Sequence, residues 1–117
     1  MSYVDGFLLP VPKKGLKTYR KMAGWGKKLW MKHGAVAYME CVGDDLFPKF
    51  GLPFPKVVKP KPGETVVFSF IVYKSKAHRN QVNAKVMKDP AMNTMPKEMP
   101  FDIKRMCFGG FKTIVEA

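Results

Sequence analysis

Several hallmarks of common protein classes are scarce in this chain of 117 residues, and each scarcity excludes a class. Two cysteines are too few for the disulfide framework of a small secreted domain. No stretch approaches the roughly 18 consecutive apolar residues of a membrane span. Residues 1–6 have neither the basic region nor the apolar region of a secretory signal. We therefore expect a cytoplasmic protein that does not enter a membrane.

Acidic residues and arginine are also scarce. Nine Asp and Glu oppose 21 Lys and Arg, which gives a net charge of +12, and only three of the basic residues are arginine. The planar arginine side chain makes paired contacts to phosphates and bases that the lysine ammonium group cannot make. A surface so rich in lysine favours solubility and general attraction of anions, and argues against specific recognition of nucleic acid. An RNA-associated accessory protein that uses this Lys-rich surface is an alternative.

What the chain does contain is enough apolar and aromatic residues, 46% and 13%, for one folded domain over residues 1–117. Extended-chain patterns and i, i+3, i+4 spacing predict four strands and two helices. The strands are expected over residues 3–11, 35–42, 64–73 and 105–115, and the helices over residues 13–33 and 75–88.

Glycine and proline predict where these elements end or bend. Gly34 is expected to end the first helix in a left-handed conformation, and Ser75 is expected to cap the second. Pro10 and Pro12 restrict the end of the first strand to a sheet edge or to its termination. Residues 46–63, with five prolines, are expected to be irregular. The pair Gly109-Gly110 predicts a bulge or a bend in the last strand.

The predicted order β-α-β-β-α-β is the split βαβ arrangement of ferredoxin-like α+β folds. Right-handed connections place both helices on one face of a four-stranded antiparallel sheet with the spatial order 4-1-3-2. The third strand is nevertheless apolar on both faces. One face carries Val66, Phe68, Phe70 and Val72, and the other carries Val67, Ile71 and Tyr73, with Ser69 as the one polar residue. A sheet with one wet face should alternate apolar and polar residues, so we expect a homodimer that covers the second face.

Motifs along almost the whole chain resemble the YbaA-like bacterial proteins, a family of unknown function. The segments that carry the resemblance include Tyr3-Val4-Asp5-Gly6-Phe7, Glu40-Cys41-Val42-Gly43-Asp44-Asp45, Ser75-Lys76-Ala77-His78-Arg79 and Met99-Pro100-Phe101-Asp102-Ile103. The resemblance implies a dimeric α/β barrel, in the superfamily that includes antibiotic biosynthesis monooxygenases. It implies no established reaction and no catalytic set.

Two groups of polar residues are candidates for ligand binding. Arg79 and Asn83 lie one turn apart on the predicted second helix. They are expected either to line a cleft between helix and sheet, where relatives in the wider superfamily hold small aromatic ligands, or to support the fold. In the second case Arg79 would pair with a carboxylate such as Asp5 or Glu40.

The second group, Asp102 and Arg105, comes just before the last strand, next to a connection rich in methionine and proline over residues 91–100. These residues are expected to form either a solvated rim or a lid over the cleft, since methionine side chains adapt to varied apolar ligands.

Enzyme activity has little support from residue spacing. A Ser-His-Asp order, a phosphate loop and a dinucleotide fingerprint are all missing. The histidines and cysteines lack the short spacing of a metal site, so we expect neither a metal nor a cofactor. If the protein is an enzyme, Asp5, Glu40 or His78 is the expected base.

The function that fits these patterns is a homodimer that binds a small apolar or aromatic molecule between helices and sheet. Such a protein would act by binding alone or as a cofactor-free monooxygenase or isomerase. A purely structural dimer is a further alternative.

Overall fold

A computed structural model describes residues 1–117, in which helices and strands alternate along the chain. The strands are β1 (Tyr3–Pro12), β2 (Ala37–Val42), β3 (Glu64–Tyr73) and β4 (Cys107–Lys112), and the helices are α1 (Leu16–Lys32), α2 (Phe54–Val58) and α3 (Lys76–Lys88). Short 3-10 turns occupy Lys13–Gly15, Pro90–Thr94 and Ile103–Arg105. None of the helices combines the length and hydropathy needed to cross a lipid bilayer.

The strands form one antiparallel sheet with the order β2-β3-β1-β4. This order confirms the predicted α+β arrangement and strand neighbours. β4 pairs with β1 only from Tyr3 to Leu8, whereas β3 pairs with β1 as far as Pro12. Pro10 and Pro12 therefore lie where β1 has a neighbour on one side only, which is where a strand tolerates a residue that lacks an N–H group.

The glycine pair in β4 does not form the predicted bulge. Pairing with β1 is continuous there, with Gly109 opposite Gly6 and Gly110 opposite Asp5. The physical reason for glycine is a close approach by aromatic rings. A Cβ atom on Gly110 would lie 2.8 Å from Tyr3 Cε2, and one on Gly6 would lie 3.5 Å from Phe111 Cε1. The prediction of a bulge was wrong because the strand is regular, and Gly110 makes room there for the Tyr3 ring.

The helix ends agree with the capping residues. Gly34 follows His33, the C-cap residue of α1, and has φ +107°. The Ser75 hydroxyl accepts a hydrogen bond of 3.0 Å from the His78 N–H at the start of α3. Helix α2 was not predicted. Pro53 is extended before it and Pro55 lies in its first turn, where proline is tolerated, so prolines that indicated irregular chain also start a short helix.

One face of the sheet packs on α1 and α3. Alternation along β1 and β3 directs the odd-numbered side chains towards these helices, and two buried clusters form there. Leu9, Val11 and Val67 pack with Tyr19 and Ala23, and Ile71 and Tyr73 pack with Leu29, Ala35, Val82 and Val86. The two main helices therefore lie on the same face, as predicted.

The opposite face, which we call the open face, carries no charged side chain except at one end, where the register pairs Pro12 with Glu64. Its residues are Val4, Gly6, Leu8 and Pro10 of β1, Ala37, Met39 and Cys41 of β2, Val66, Phe68, Phe70 and Val72 of β3, and Cys107, Gly109 and Phe111 of β4. Helix α2 lies against β1 and β3. Elsewhere the residues of the open face are half-buried or exposed, and Phe68 and Phe111 are 45% and 63% accessible.

Candidate functional site

A cavity of about 190 Å³ lies between α1 and the sheet. Its lining is mostly apolar, with Glu40 as the one ionisable carboxylate, and we call it the Glu40 cavity. The lining residues are Phe7, Leu9, Tyr19, Met22, Trp30, Tyr38, Glu40, Ser69, Phe70, Ile71, Phe101 and Met106. An apolar space with a few convergent polar groups is the usual form of a small-molecule site.

Two phenols hold the Glu40 carboxylate. Tyr19 on α1 donates a hydrogen bond of 2.7 Å to Glu40 Oε1, and Tyr38 on β2 donates one of 2.9 Å to Oε2. Glu40 and Tyr38 are two residues apart on β2, so both point towards α1. Burial, and after it the nearby Glu40 carboxylate, raises the pKa of Tyr19 and of Tyr38 far above the ordinary value of 10. Both phenols therefore stay protonated and keep donating.

Gly26 on α1 leaves the space that Tyr38 needs to reach Glu40. A Cβ atom on Gly26 would lie 2.9 Å from the Tyr38 hydroxyl oxygen, whereas a Cβ atom on Gly24 would have no neighbour within 4 Å. The two glycines lie on the same helix, and they differ in the space that a Cβ atom would have. Gly26 is thus part of the geometry of the site.

We expect Gly26→Ala to destabilise the protein and Gly24→Ala to stabilise it by about 1 kcal/mol, because alanine is the better helix former where space allows. Chemical denaturation of the two variants measures both effects. Equal stabilisation by both substitutions would show that the Tyr38 hydroxyl is not held against Gly26.

The segment before β4 closes one side of the Glu40 cavity. Phe101 and Met106 line the cavity, and the Phe101 ring meets Tyr19 edge-on at 5.7 Å. Arg105 anchors this segment with two hydrogen bonds of 2.8 Å to the Glu64 carboxylate and one of 3.2 Å to the Lys59 carbonyl oxygen. The hydrogen bonds from Arg105 lower the pKa of Glu64, so this pair stays ionised.

The structure places Asp102 and Arg105 outside the Glu40 cavity, although both lie next to residues that line it. Asp102 caps its own 3-10 turn by accepting a hydrogen bond of 3.0 Å from the Lys104 N–H. Both side chains face a separate, open depression. Asp102 thus caps the turn, and Arg105 ties the segment that carries Phe101 and Met106 to Glu64.

Arg79, Asn83 and Asp5 form a second polar cluster between α3 and the sheet. Arg79 donates a hydrogen bond of 2.8 Å to Asp5 Oδ1, which is one of the two pairings considered from the sequence. Its guanidinium carbon also lies 5.0 Å from the centre of the Tyr3 ring. Burial raises the pKa of Asp5, and the Arg79 charge opposes this rise.

Asn83 connects this cluster to α1, because its Oδ1 accepts hydrogen bonds of 3.0 Å from Trp30 Nε1 and 3.3 Å from the Tyr73 hydroxyl. Neither Arg79, Asn83 nor Asp5 lines the Glu40 cavity.

His78 also lies outside the cavity. Its Nδ1 accepts a hydrogen bond of 3.0 Å from the Lys74 N–H at the start of α3, and its ring packs edge-on against Tyr73. His33 contacts Asp89 at 2.6 Å and does not line the cavity either. The chain contains no group of three or more His, Cys, Asp or Glu residues arranged to hold a metal ion.

A wider cleft of about 680 Å³ adjoins the Glu40 cavity between α1 and β2, and we call it the outer cleft. Tyr19, Tyr38 and Glu40 belong to the walls of both. The outer cleft also exposes Lys17, Arg20 and Lys27. Glu40 therefore lies where an enclosed apolar space meets an open basic one.

Comparison with known proteins identifies the family. The family model described as "Protein of unknown function (DUF1428)" matches residues 2–103. The chain belongs to the DUF1428 family. It is 41% identical over 116 residues to "Uncharacterized protein YbaA" of Escherichia coli strain K12, a match that covers 99% of each chain, and the protein of the same name from Shigella flexneri gives the same values. The resemblance seen in the sequence is thus confirmed.

A comparison with solved structures finds "De novo designed protein Foldit4" at a TM-score of 0.47 and 9% identity, covering 97% of this chain and 99% of the other.

Sequence reasoning missed the two tyrosines of this DUF1428 site. Glu40 is among the bases expected from the sequence, whereas neither Tyr19 nor Tyr38 was expected to belong to a site. A signal for Tyr38 was available, since residues two apart on a strand share a face. Nothing in the sequence brings Tyr19 to Glu40, because that contact depends on how α1 crosses the sheet.

Proposed function

We propose that this DUF1428 protein binds a small, mainly apolar molecule in the Glu40 cavity and holds its polar group against Glu40. The observation that carries the proposal is a carboxylate fixed by two phenols inside an otherwise apolar space. Glu40 is half-buried, and a charge partly removed from water costs free energy unless hydrogen bonds compensate it, as the two phenols do here.

The size of the cavity limits the ligand. An apolar cavity of about 150 Å³ holds a benzene molecule, so about 190 Å³ accommodates one substituted ring. The aromatic side chains around it, Phe7, Trp30 and Phe101, suit the faces and edges of such a ring. A single aromatic or alicyclic ring is therefore the ligand body that we propose.

The hydrogen bonds of Glu40 define the polar group of the ligand. Both phenol hydrogens are already directed at Glu40, so the carboxylate offers its remaining lone pairs as acceptors. A ligand must then supply a donor, such as a hydroxyl group.

The reaction that this arrangement favours is proton transfer. Of the three candidate bases, Glu40 alone lines the cavity, and a carboxylate beside a bound molecule is placed to act as a general base. In an isomerisation Glu40 would take a proton from a carbon next to a carbonyl and return it to another carbon of the same molecule. No electrons are gained or lost in this exchange, and no cofactor is involved.

Neutral ligands that differ in one hydroxyl group test the binding proposal. Phenol and 4-methylphenol are expected to stabilise the protein more than toluene of similar size. A ligand tenfold above its Kd contributes about 1.4 kcal/mol, which raises the Tm by about 5 °C in a domain of this length. Thermal unfolding with each compound gives the comparison.

Two variants complete this experiment. Glu40→Gln is expected to remove the preference for the hydroxyl compounds, and Met22→Phe is expected to weaken binding of all three by filling the cavity. Binding that neither substitution changes, or no stabilisation by any compound, would refute the proposal.

We also propose that two copies associate through the open face. The face is apolar on all four strands and exposes Phe68, Phe111 and Met39, each at least 45% accessible. Removing such a patch from water stabilises a protein by about 25 cal/mol per Å² of apolar surface, and a monomer lacks this stabilisation. The partner that matches an uncharged apolar sheet is a second such sheet, because aligned sheets pack face to face through interdigitating side chains. Light scattering is expected to give twice the 13.3 kDa of one chain.

A further inference from the structure

Three unpaired cations line the outer cleft. Lys17, Arg20 and Lys27 follow one another at spacings of three and seven residues, which places them along one side of α1. None of them forms an ion pair with a carboxylate of the chain. Helix α1 contains no Asp or Glu that would balance them. Because the charges share one cleft, their attraction for an anion adds there.

The outer cleft is open to a ligand between these cations. Gly24 lies on the same side of α1, between Arg20 and Lys27, and no atom lies within 4 Å of the position that a Cβ atom would take. The cleft meets the Glu40 cavity at Tyr19, Tyr38 and Glu40. The polar group of a ligand that binds Glu40 would therefore lie next to the basic wall of the outer cleft.

We infer that the ligand is an organic anion, namely a small ring compound that carries a hydroxyl group and a carboxylate on the same side of the ring. The ring occupies the apolar cavity, the hydroxyl group binds Glu40 where the cavity meets the outer cleft, and the carboxylate lies among Lys17, Arg20 and Lys27. This inference rests on the proposed function, since it assigns a second polar group to the same ligand. The Arg20 guanidinium supplies paired donors that match a carboxylate.

The test compares acids with neutral compounds of the same ring. We expect 3-hydroxybenzoate or 2-hydroxyphenylacetate to bind about tenfold more tightly than 4-methylphenol in low salt, as charge-assisted hydrogen bonds allow. Isothermal titration calorimetry measures this ratio of Kd values. The advantage of the acids is expected to shrink as salt screens the exposed cations.

A matched pair of variants locates the effect. Arg20→Gln with Lys27→Gln is expected to remove the advantage of the acids while binding of 4-methylphenol stays unchanged. Lys21→Gln with Lys28→Gln removes the same net charge from exposed positions of α1 outside the cleft, and is expected to leave the advantage intact. All four substituted side chains are exposed, so the fold is expected to persist.

The outcomes separate this inference from the proposal beneath it. If 4-methylphenol binds and neither acid binds more tightly, or if both double variants lose the advantage equally, the anion site is refuted and the proposed function stands. If neither the acids nor 4-methylphenol binds at millimolar concentration, both are refuted.

Discussion

The double substitution Phe68→Ser with Phe111→Ser is expected to convert the proposed dimer into monomers. Phe68 on β3 and Phe111 on β4 are the most exposed aromatic side chains of the open face. Truncating one central aromatic residue of an interface commonly costs about 2 kcal/mol. Two-fold symmetry makes each substitution count twice, so a single substitution is expected to raise the dimer Kd by about a thousandfold. The double variant should then be monomeric at micromolar concentration by light scattering.

Phe108→Ser is the matched control for this experiment. Phe108 lies on the same strand as Phe111 and is exposed to 71%, but it points to the helix side, where its ring stacks on Phe7. The control is expected to remain a dimer. A wild-type mass of one chain, or equal dissociation by Phe108→Ser, would rule out the open face as the interface.

The two cysteines give an independent measurement of the same contact. Cys41 and Cys107 both lie on the open face, and Cys107 is exposed in the single chain. A dimer through this face would cover them, so alkylation by iodoacetamide is expected to be slow in the wild type. It should become fast in the variant with serine at Phe68 and Phe111.

The sheet could be predicted from the sequence because its strands carry strong local patterns. The bounds of β3 agree with the pattern from Glu64 to Tyr73, and the α+β connection order fixed the strand neighbours. The local sequence pattern predicted the structure less well at glycines and prolines, because each of these residues occurs in more than one kind of structure. Gly109-Gly110 provides room for rings, and Pro55 lies in the first turn of a short helix.

The candidate site was predictable only in part. Acidic residues on apolar strands stand out, so Asp5 and Glu40 could be selected from the sequence. Their partners, Arg79 for one and two tyrosines for the other, come from helices whose crossing of the sheet is set by packing. Periodicity shows which side of α1 is buried, and it does not show that Tyr19 meets Glu40.

Arg79→Met is expected to cause a large loss of stability in a single substitution. It removes the cation from Asp5, which is 7% exposed, while keeping much of the aliphatic side chain. Breaking a buried ion pair from one side costs about 3 kcal/mol, because the remaining charge is left without compensation. Asp5→Asn in the same background is expected to recover most of this loss, since a neutral amide needs no cation. Urea denaturation of the two single variants and the double variant gives the coupling.

The loss should also depend on pH, with a sign that follows from Asp5. Burial raises the pKa of Asp5 above its ordinary 3.8 even beside Arg79, so the folded protein holds this proton more tightly than the unfolded chain. The contribution of this proton to the free energy of unfolding is complete below pH 3.8, and it is lost as the pH rises through the pKa of Asp5 in the folded protein. Without Arg79 the pKa of Asp5 rises further. The difference in free energy of unfolding between wild type and Arg79→Met, which we call the deficit, is therefore expected to be largest near pH 7 and to shrink towards pH 4. Comparison at each pH cancels the titration of groups that both proteins share, and the variant that also carries Asp5→Asn should show no such dependence. A deficit that stays constant over this range would mean that Asp5 is not the group left uncompensated.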